Sequence, residues 1–316
     1  MKINKDDAIL VTGGEGFLGH FVCNTLRDRG YTNVIPLAGT KGGVDLTDSF
    51  VTEHVFIRHN PKVVLHLAAR VGGIGANKDN PGRFFYDNMS MGMNVIECCR
   101  RFSIKKIVLT STVCSYPKFA EVPFKEENIW SGYPEETNAP YGVAKKSLME
   151  MLQAYRKQYS LNGITLIPVN MYGPRDNFDP QSSHVIPALI LKVQEAIDRG
   201  DSEITAWGTG EASREFLYVE DCAEGIVLAM EDYDKPEPVN LGTGQEIKIK
   251  DLVLLIASLM GYSGDVVFDS SKPDGQPRRC LDVSRAKEFG FSAKTEFNEG
   301  LLETIKWFKN DIRCSV

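Results

Sequence analysis

Short apolar runs alternate with amphipathic stretches through the first half of this chain. AILVTG, VIPLAG, VVLHLAA and KIVLTST read as strands buried on both faces. Between them, apolar residues recur at helical spacing from Phe17 to about Arg29, from about Ser49 to His59 and through NVIECCRRF. Another helix is predicted from Tyr141 to Gln158, followed by the apolar run ITLIPVNMYGP. Repeated strand and helix predict an α/β fold, a Rossmann-type doubly wound parallel sheet. After Pro174 the rhythm changes to the polar loop RDNFDPQSS, the helix HVIPALILKVQEAIDR and shorter pieces rich in Gly and Pro. Residues 174–213 and 244–316 are therefore expected to form a smaller α/β substrate-binding lobe, while 214–243, with REFLYVEDCAEGIVLAM, returns to the domain of 1–173. A lobe set beyond the carboxyl ends of such a sheet closes over a ligand bound there.

Composition narrows the class. With 42% hydrophobic and 25% charged residues the chain reads as an ordinary globular protein. Its net charge of −6 provides no basic stripe for nucleic acid, so an anionic ligand has to be met by local positive groups. No apolar run approaches the ~20 residues of a membrane span, and MKINKDDAILVTGG leads into its first strand without the apolar core of a signal peptide. Seven cysteines, odd in number and without C-x-x-C spacing, argue against a zinc site or a disulfide framework. A cytoplasmic protein with reduced thiols and no metal is the expectation.

Two motifs carry chemistry. ILVTGGEGFLGHFV sets Gly13, Gly16 and Gly19 between a strand and the helix opened by Phe17 and Leu18, the context of a dinucleotide turn whose helix N-terminus receives a pyrophosphate. NAD-binding folds usually carry an acid at the end of the second strand. Here no acid precedes Asp45, so nothing repels a 2′-phosphate, and the sequence favours NADP, with Lys41 as a candidate phosphate ligand or a solvated loop lysine. Asp45 is expected beside the adenine or as the cap of a turn. In APYGVAKK, Tyr141 and Lys145 stand one helical turn apart, so phenol and ammonium share a face and the cation favours the phenolate.

On HLAARVGGIGANKDNP, STVCSYPK, TNAPYGVAKK, NMYGPRDNF, SHVIPALI, WGTGEASREFLYVED and KPDGQPRRCLDVS, the chain resembles the extended short-chain dehydrogenase/reductases. Within them it is similar to the family that epimerises GDP-4-keto-6-deoxy-D-mannose at C3 and C5 and reduces it at C4. The resemblance spans nearly the whole chain and implies NADPH as reductant and a GDP-sugar substrate. It also implies an acid/base pair, Cys114 with His184, a proton donor Tyr141, a supporting Lys145, and a hydroxyl at Thr112 on the C4 oxygen. The family usually carries Ser at that position, so Ser111 remains a rival. Leu46, Ala68 and Asn170 would complete the cofactor site. Lys192, Trp207, Arg214 and Arg279 would hold the substrate, with Arg279 standing where Lys is commoner.

Each residue has a plainer reading: Cys114 as a core thiol, His184 as a surface residue before a helix, the basic residues as solvated side chains. A homodimer through the helices of Tyr141 and of Asn88–Arg101 is expected by resemblance, although their apolar surplus can equally be covered by the protein's own loops. Three other functions stay open: a reductase or epimerase of another GDP-4-keto sugar such as a heptose, a dinucleotide-binding protein without catalysis, and a UDP-sugar epimerase or dehydratase.

Overall fold

The computed structural model describes residues 2–272 and 274–312, without the side chains of Lys41, Ile74 and Ile312. Strand and helix alternate as β1 (Ile9–Thr12), α1 (Phe17–Asp28), β2 (Val34–Leu37), α2 (Ser49–His59), β3 (Val63–His66), α3 (Ile74–Asp79), α4 (Pro81–Arg101), β4 (Lys106–Thr110), α5 (Ala139–Tyr159) and β5 (Gly163–Pro168). There follow β6 (Asn170–Tyr172), α6 (Val185–Arg199), β7 (Glu203–Trp207), β8 (Ser213–Tyr218), α7 (Val219–Asp232) and β9 (Val239–Leu241). The chain continues through β10 (Glu246–Lys248), α8 (Ile249–Met260), β11 (Asp265–Asp269), α9 (Ser284–Lys287) and α10 (Phe297–Trp307).

A parallel sheet in the order β2-β1-β3-β4-β5-β9 forms the centre. Its strands are predominantly apolar because both faces are covered. Ile9 and Val11 pack into one core with Leu26 of α1 and Ile226 of α7, while Leu10 packs into another with Phe56 of α2, Ile96 of α4 and Leu148 of α5. Strand alternation thus sends neighbours to opposite helical layers. Each fully buried Val, Leu or Ile contributes roughly 1.5–3 kcal/mol through its removal from water. A third core joins Ile190 and Val193 of α6, Ile256 of α8 and Ile305 of α10 with Ile204 of β7.

The segment REFLY forms a strand, as its apolar run predicts. As β8 it stays out of the central sheet, lying between β6 and the antiparallel β10. The sixth central strand is β9, three residues paired to β5 through Leu166 and Val239. The apolar run ITLIPVNMYGP is likewise split, β5 belonging to the central sheet and β6 to the small one.

The strand order reverses between β1 and β3, which places the crevice of a doubly wound sheet above Thr12 and His66. At the other end of the sheet, buried Lys106 donates to the carbonyls of Ala229 at 3.1 Å, Met230 at 2.7 Å and Tyr233 at 2.7 Å, and pairs with Asp234 at 2.9 Å. One ammonium so closes the C-terminus of α7 onto the start of β4. Lys106→Met leaves those acceptors buried without a donor, and urea unfolding is expected to show a loss of about 2–4 kcal/mol. An unchanged unfolding free energy would mean that water replaces the lysine.

Candidate active site

The turn after β1 is shaped by glycine. Gly13 has φ +69°, and a Cβ there would stand 3.0 Å from the Ala68 amide nitrogen. A Cβ on Gly19 would lie 2.0 Å from the Gly13 carbonyl oxygen, so only glycine lets α1 approach the turn this closely. Gly16 caps α1 without a side chain, and no acid occupies the first turn, so the amides of Phe17, Leu18 and Gly19 are open to an anion. A cavity of about 440 Å³ opens beside the turn, with Gly14, Glu15, Pro36, His20, Arg27 and Arg175 among its walls. A glycine cradle at a free helix N-terminus, with three basic side chains next to it, fits the phosphates of a dinucleotide. Those basic side chains were missed in the sequence because His20 follows the last glycine of the turn, Arg27 lies two helical turns further on, and Arg175 joins them only in three dimensions.

Beneath the cradle, the Thr12 hydroxyl accepts from Ala68 N at 3.2 Å and lies 2.8 Å from His66 Nδ1. Burial holds the His66 pKa down at about 3, so its ring is neutral. Asp45 is exposed, and its Oδ1 accepts from Thr47 N at 3.0 Å and Thr47 Oγ1 at 2.7 Å, the turn-capping arrangement. Leu46 is buried, its carbonyl bonded to Asn94 and Thr52. The Lys41 side chain lies outside the described residues.

Past β4, Thr112 caps a short 3-10 turn at Val113–Ser115 and accepts from Cys114 N at 3.2 Å. Ser111 is turned into the core, 3.1 Å from Met149 Sδ. Thr112, in contrast, lies beside the phenol of Tyr141, whose pKa its hydroxyl lowers. What brings the two segments together is Gly142, where a Cβ would stand 2.3 Å from the Cys114 carbonyl oxygen. Its sequence signal is a glycine directly after the tyrosine in a helix, a costly place for one.

One turn on, buried Lys145 donates to Thr110 O at 3.0 Å. The sequence leads one to expect the ammonium to draw the phenol pKa down, but the shift found is upward. Tyr141 is pushed above its ordinary value by burial first and by Cys114 second, with the Thr112 hydroxyl opposing. The phenol is held protonated, as a proton donor must be.

His184 is the N-cap residue of α6 and makes no side-chain cap. It keeps solvent-facing surface yet is crowded enough that burial lowers its pKa, the position of a side chain lining a recess. Among the described residues no hydrogen bond joins its ring to Thr112, Cys114 or Tyr141.

Two guanidinium groups converge on Cys114. Arg279 is buried, and its Nη1 donates to Cys114 Sγ at 3.6 Å. Half-buried Arg214 donates to Ser213 O at 2.7 Å and Asp274 O at 3.1 Å. Its pKa falls to about 10 through burial and then through Arg279. Neither arginine has a carboxylate partner within 4.0 Å among the described residues, which leaves positive charge for an anion. Asn170 donates to Glu215 O at 3.1 Å. Lys192 is tied to Thr205 O at 2.6 Å, and Trp207 is 66% exposed with Lys272 over its ring at 5.7 Å.

Burial lowers the Lys145 pKa from 10.5 to about 8, so unfolding takes up a proton between those values and stability rises with pH across that window. Over it, the parent protein is expected to gain on the order of 3 kcal/mol relative to Lys145→Met in urea unfolding. Parallel pH profiles would show that the lysine is not buried as a charge.

Residues 9–242 match the NAD dependent epimerase/dehydratase family. The probable GDP-L-fucose synthase 1 of Oryza sativa subsp. japonica is 40% identical over 98% of this chain and 94% of its own. A GDP-6-OMe-4-keto-L-xylo-heptose reductase from C. jejuni superposes with a TM-score of 0.91 at 28% identity, covering 98% of this chain and 99% of that one. A GDP-L-fucose synthetase from Naegleria fowleri bound to NADP superposes with a TM-score of 0.90 at 29% identity, covering 99% and 97%. A parallel sheet with a glycine cradle at its switch point, a Tyr/Lys pair beside it and these matches together show that the chain belongs to the NAD dependent epimerase/dehydratase family, in the group of the GDP-L-fucose synthases.

Proposed function

We propose that this chain converts GDP-4-keto-6-deoxy-D-mannose to GDP-L-fucose, inverting C3 and C5 and reducing C4 with NADPH. The observation that carries the reading is the cluster of a hydroxyl, a thiol and a protonated phenol at Thr112, Cys114 and Tyr141, flanked by Arg214 and Arg279 without carboxylate partners among the described residues. A C4 ketone acidifies the hydrogens on C3 and C5, because the electron pair left behind is delocalised onto the carbonyl oxygen. Cys114 and His184 serve as the acid/base pair, one removing a proton from a ring face and the other returning one to the opposite face. The Thr112 hydroxyl donates to the C4 oxygen as charge gathers there. NADPH supplies the hydride that reduces C4. Tyr141 supplies the proton to the resulting oxygen, and Lys145 holds the nicotinamide ribose.

Gly13, Gly16, Phe17, Leu18 and Gly19 hold the cofactor pyrophosphate, with Lys41, Asp45, Leu46, Ala68 and Asn170 along the rest of the dinucleotide. Arg214 and Arg279 meet the GDP phosphates, Lys192 adds charge, and exposed Trp207 offers a flat wall. We divide the chain into a cofactor domain of 1–173 and 214–243 and a substrate lobe of 174–213 and 244–316. It works as a cytoplasmic homodimer through α4 and α5, where Tyr86, Met93 and Tyr159 are exposed. Among the described residues no helix is long and apolar enough to cross a membrane. The backbone likeness to a heptose reductase supports a second reading, reduction of another GDP-4-keto sugar by the same groups.

Purified protein given the ketosugar and NADPH is expected to form GDP-L-fucose, and absence of NADPH oxidation would reject the first reading. Turnover of a GDP-4-keto-heptose alone would select the second. In deuterated water the parent is expected to place deuterium at C3 and C5. Cys114→Ser should cut that incorporation and Tyr141→Phe the reduction, each by roughly 10²–10⁴-fold, with NADPH binding retained.

A further inference from the structure

The contact between Arg279 and Cys114 goes beyond substrate binding. We propose that Arg279 is a positioning residue that pairs with the Cys114 sulfur as an anion and aims it at the sugar ring; the proposal deepens the epimerase reading and rests on it for the identity of that ring. Nη1 of Arg279 donates to Sγ at 3.6 Å, and an N–H donor at a sulfur favours thiolate over thiol. The guanidinium is not free to swing away. Its Nε donates to Gln276 Oε1 at 3.2 Å, and Gln276 Nε2 donates in turn to Lys118 O at 2.8 Å, a few residues past the cysteine. The arginine backbone is fixed too, because its carbonyl accepts from Glu215 N at 3.0 Å. Arg279, Gln276 and Cys114 therefore form a closed loop anchored to one chain segment.

Charge points the same way. Arg279 is 7% exposed and has no carboxylate within ion-pair distance among the described residues, so the thiol is the ionisable acid it touches. A thiolate there also helps keep the adjacent phenol of Tyr141 protonated, since an anion beside it disfavours a second one. A lysine at position 279 would supply the charge as a single point, whereas the planar fork reaches the sulfur and Gln276 at once. When the thiolate takes a ring proton, the C–H electron pair stays on the sugar as enolate and the sulfur becomes a thiol.

The test needs no turnover. The rate of Cys114 alkylation by iodoacetamide, followed by peptide mass spectrometry in the NADP-loaded full chain, is measured against pH. Cys114 can be read separately because the other described cysteines are buried. Arg279→Gln is expected to move the midpoint of the alkylation profile up by about one pH unit or more, Arg279→Lys to restore part of it, and Gln276→Ala to give a smaller shift in the same direction. Superimposable profiles for the parent and Arg279→Gln, with only the substrate KM raised, would overturn the proposal and leave Arg279 as a substrate contact. Should the ketosugar fail as a substrate while the midpoint still moves, the epimerase reading falls and the Arg279–Cys114 pair stands.

Discussion

One buried carboxylate holds the active-site segments to each other. Glu215 accepts from Thr243 N at 2.5 Å, Gly244 N at 2.8 Å and Leu281 N at 2.6 Å. It thereby ties β8 to the turn after β9 and to the chain that delivers Arg279. A Cβ on Gly242 would come within 2.2 Å of its Oε1, so the turn is glycine for the sake of this carboxylate. Three backbone donors partly offset the burial that raises its pKa. Because side chains alternate along a strand, Arg214 next door points to the other face and joins Arg279. Fastening and function are adjacent letters of one strand.

The parts of this arrangement legible in the sequence are those made by near neighbours. The glycine turn, α1 and α2 are written in local spacing, and α2 ends where Asn60 adopts φ 40° just past the last apolar position. The Tyr141/Lys145 pair is one helical turn, which spacing alone discloses. β9 escaped because three buried residues carry no periodicity, and which sheet β8 joins was not legible because its apolar run reads the same in a central or a small sheet. No spacing rule links Cys114 to Arg279, since 165 residues separate them. The electrostatics of Tyr141 were also beyond spacing: a lysine one turn away is visible in the sequence, whereas the burial that raises the phenol pKa is not.

The proposed chemistry asks two opposite things of one small space. A proton donor must stay neutral, and a proton acceptor must be ready to carry charge, within a few side chains of each other. Burial serves the first need at Tyr141, and an arginine without a carboxylate serves the second at Cys114. Gly142 is what allows both in one place, since any larger residue would push α5 off the Cys114 carbonyl.

His66 lies under the cofactor cradle with its pKa held near 3 and its ring bonded to Thr12. An imidazole that never takes a proton at physiological acidity acts as a fixed spacer, and the floor of the crevice keeps one shape while the groups above it titrate. The floor under the dinucleotide therefore carries the same charge at neutral and at mildly acidic pH.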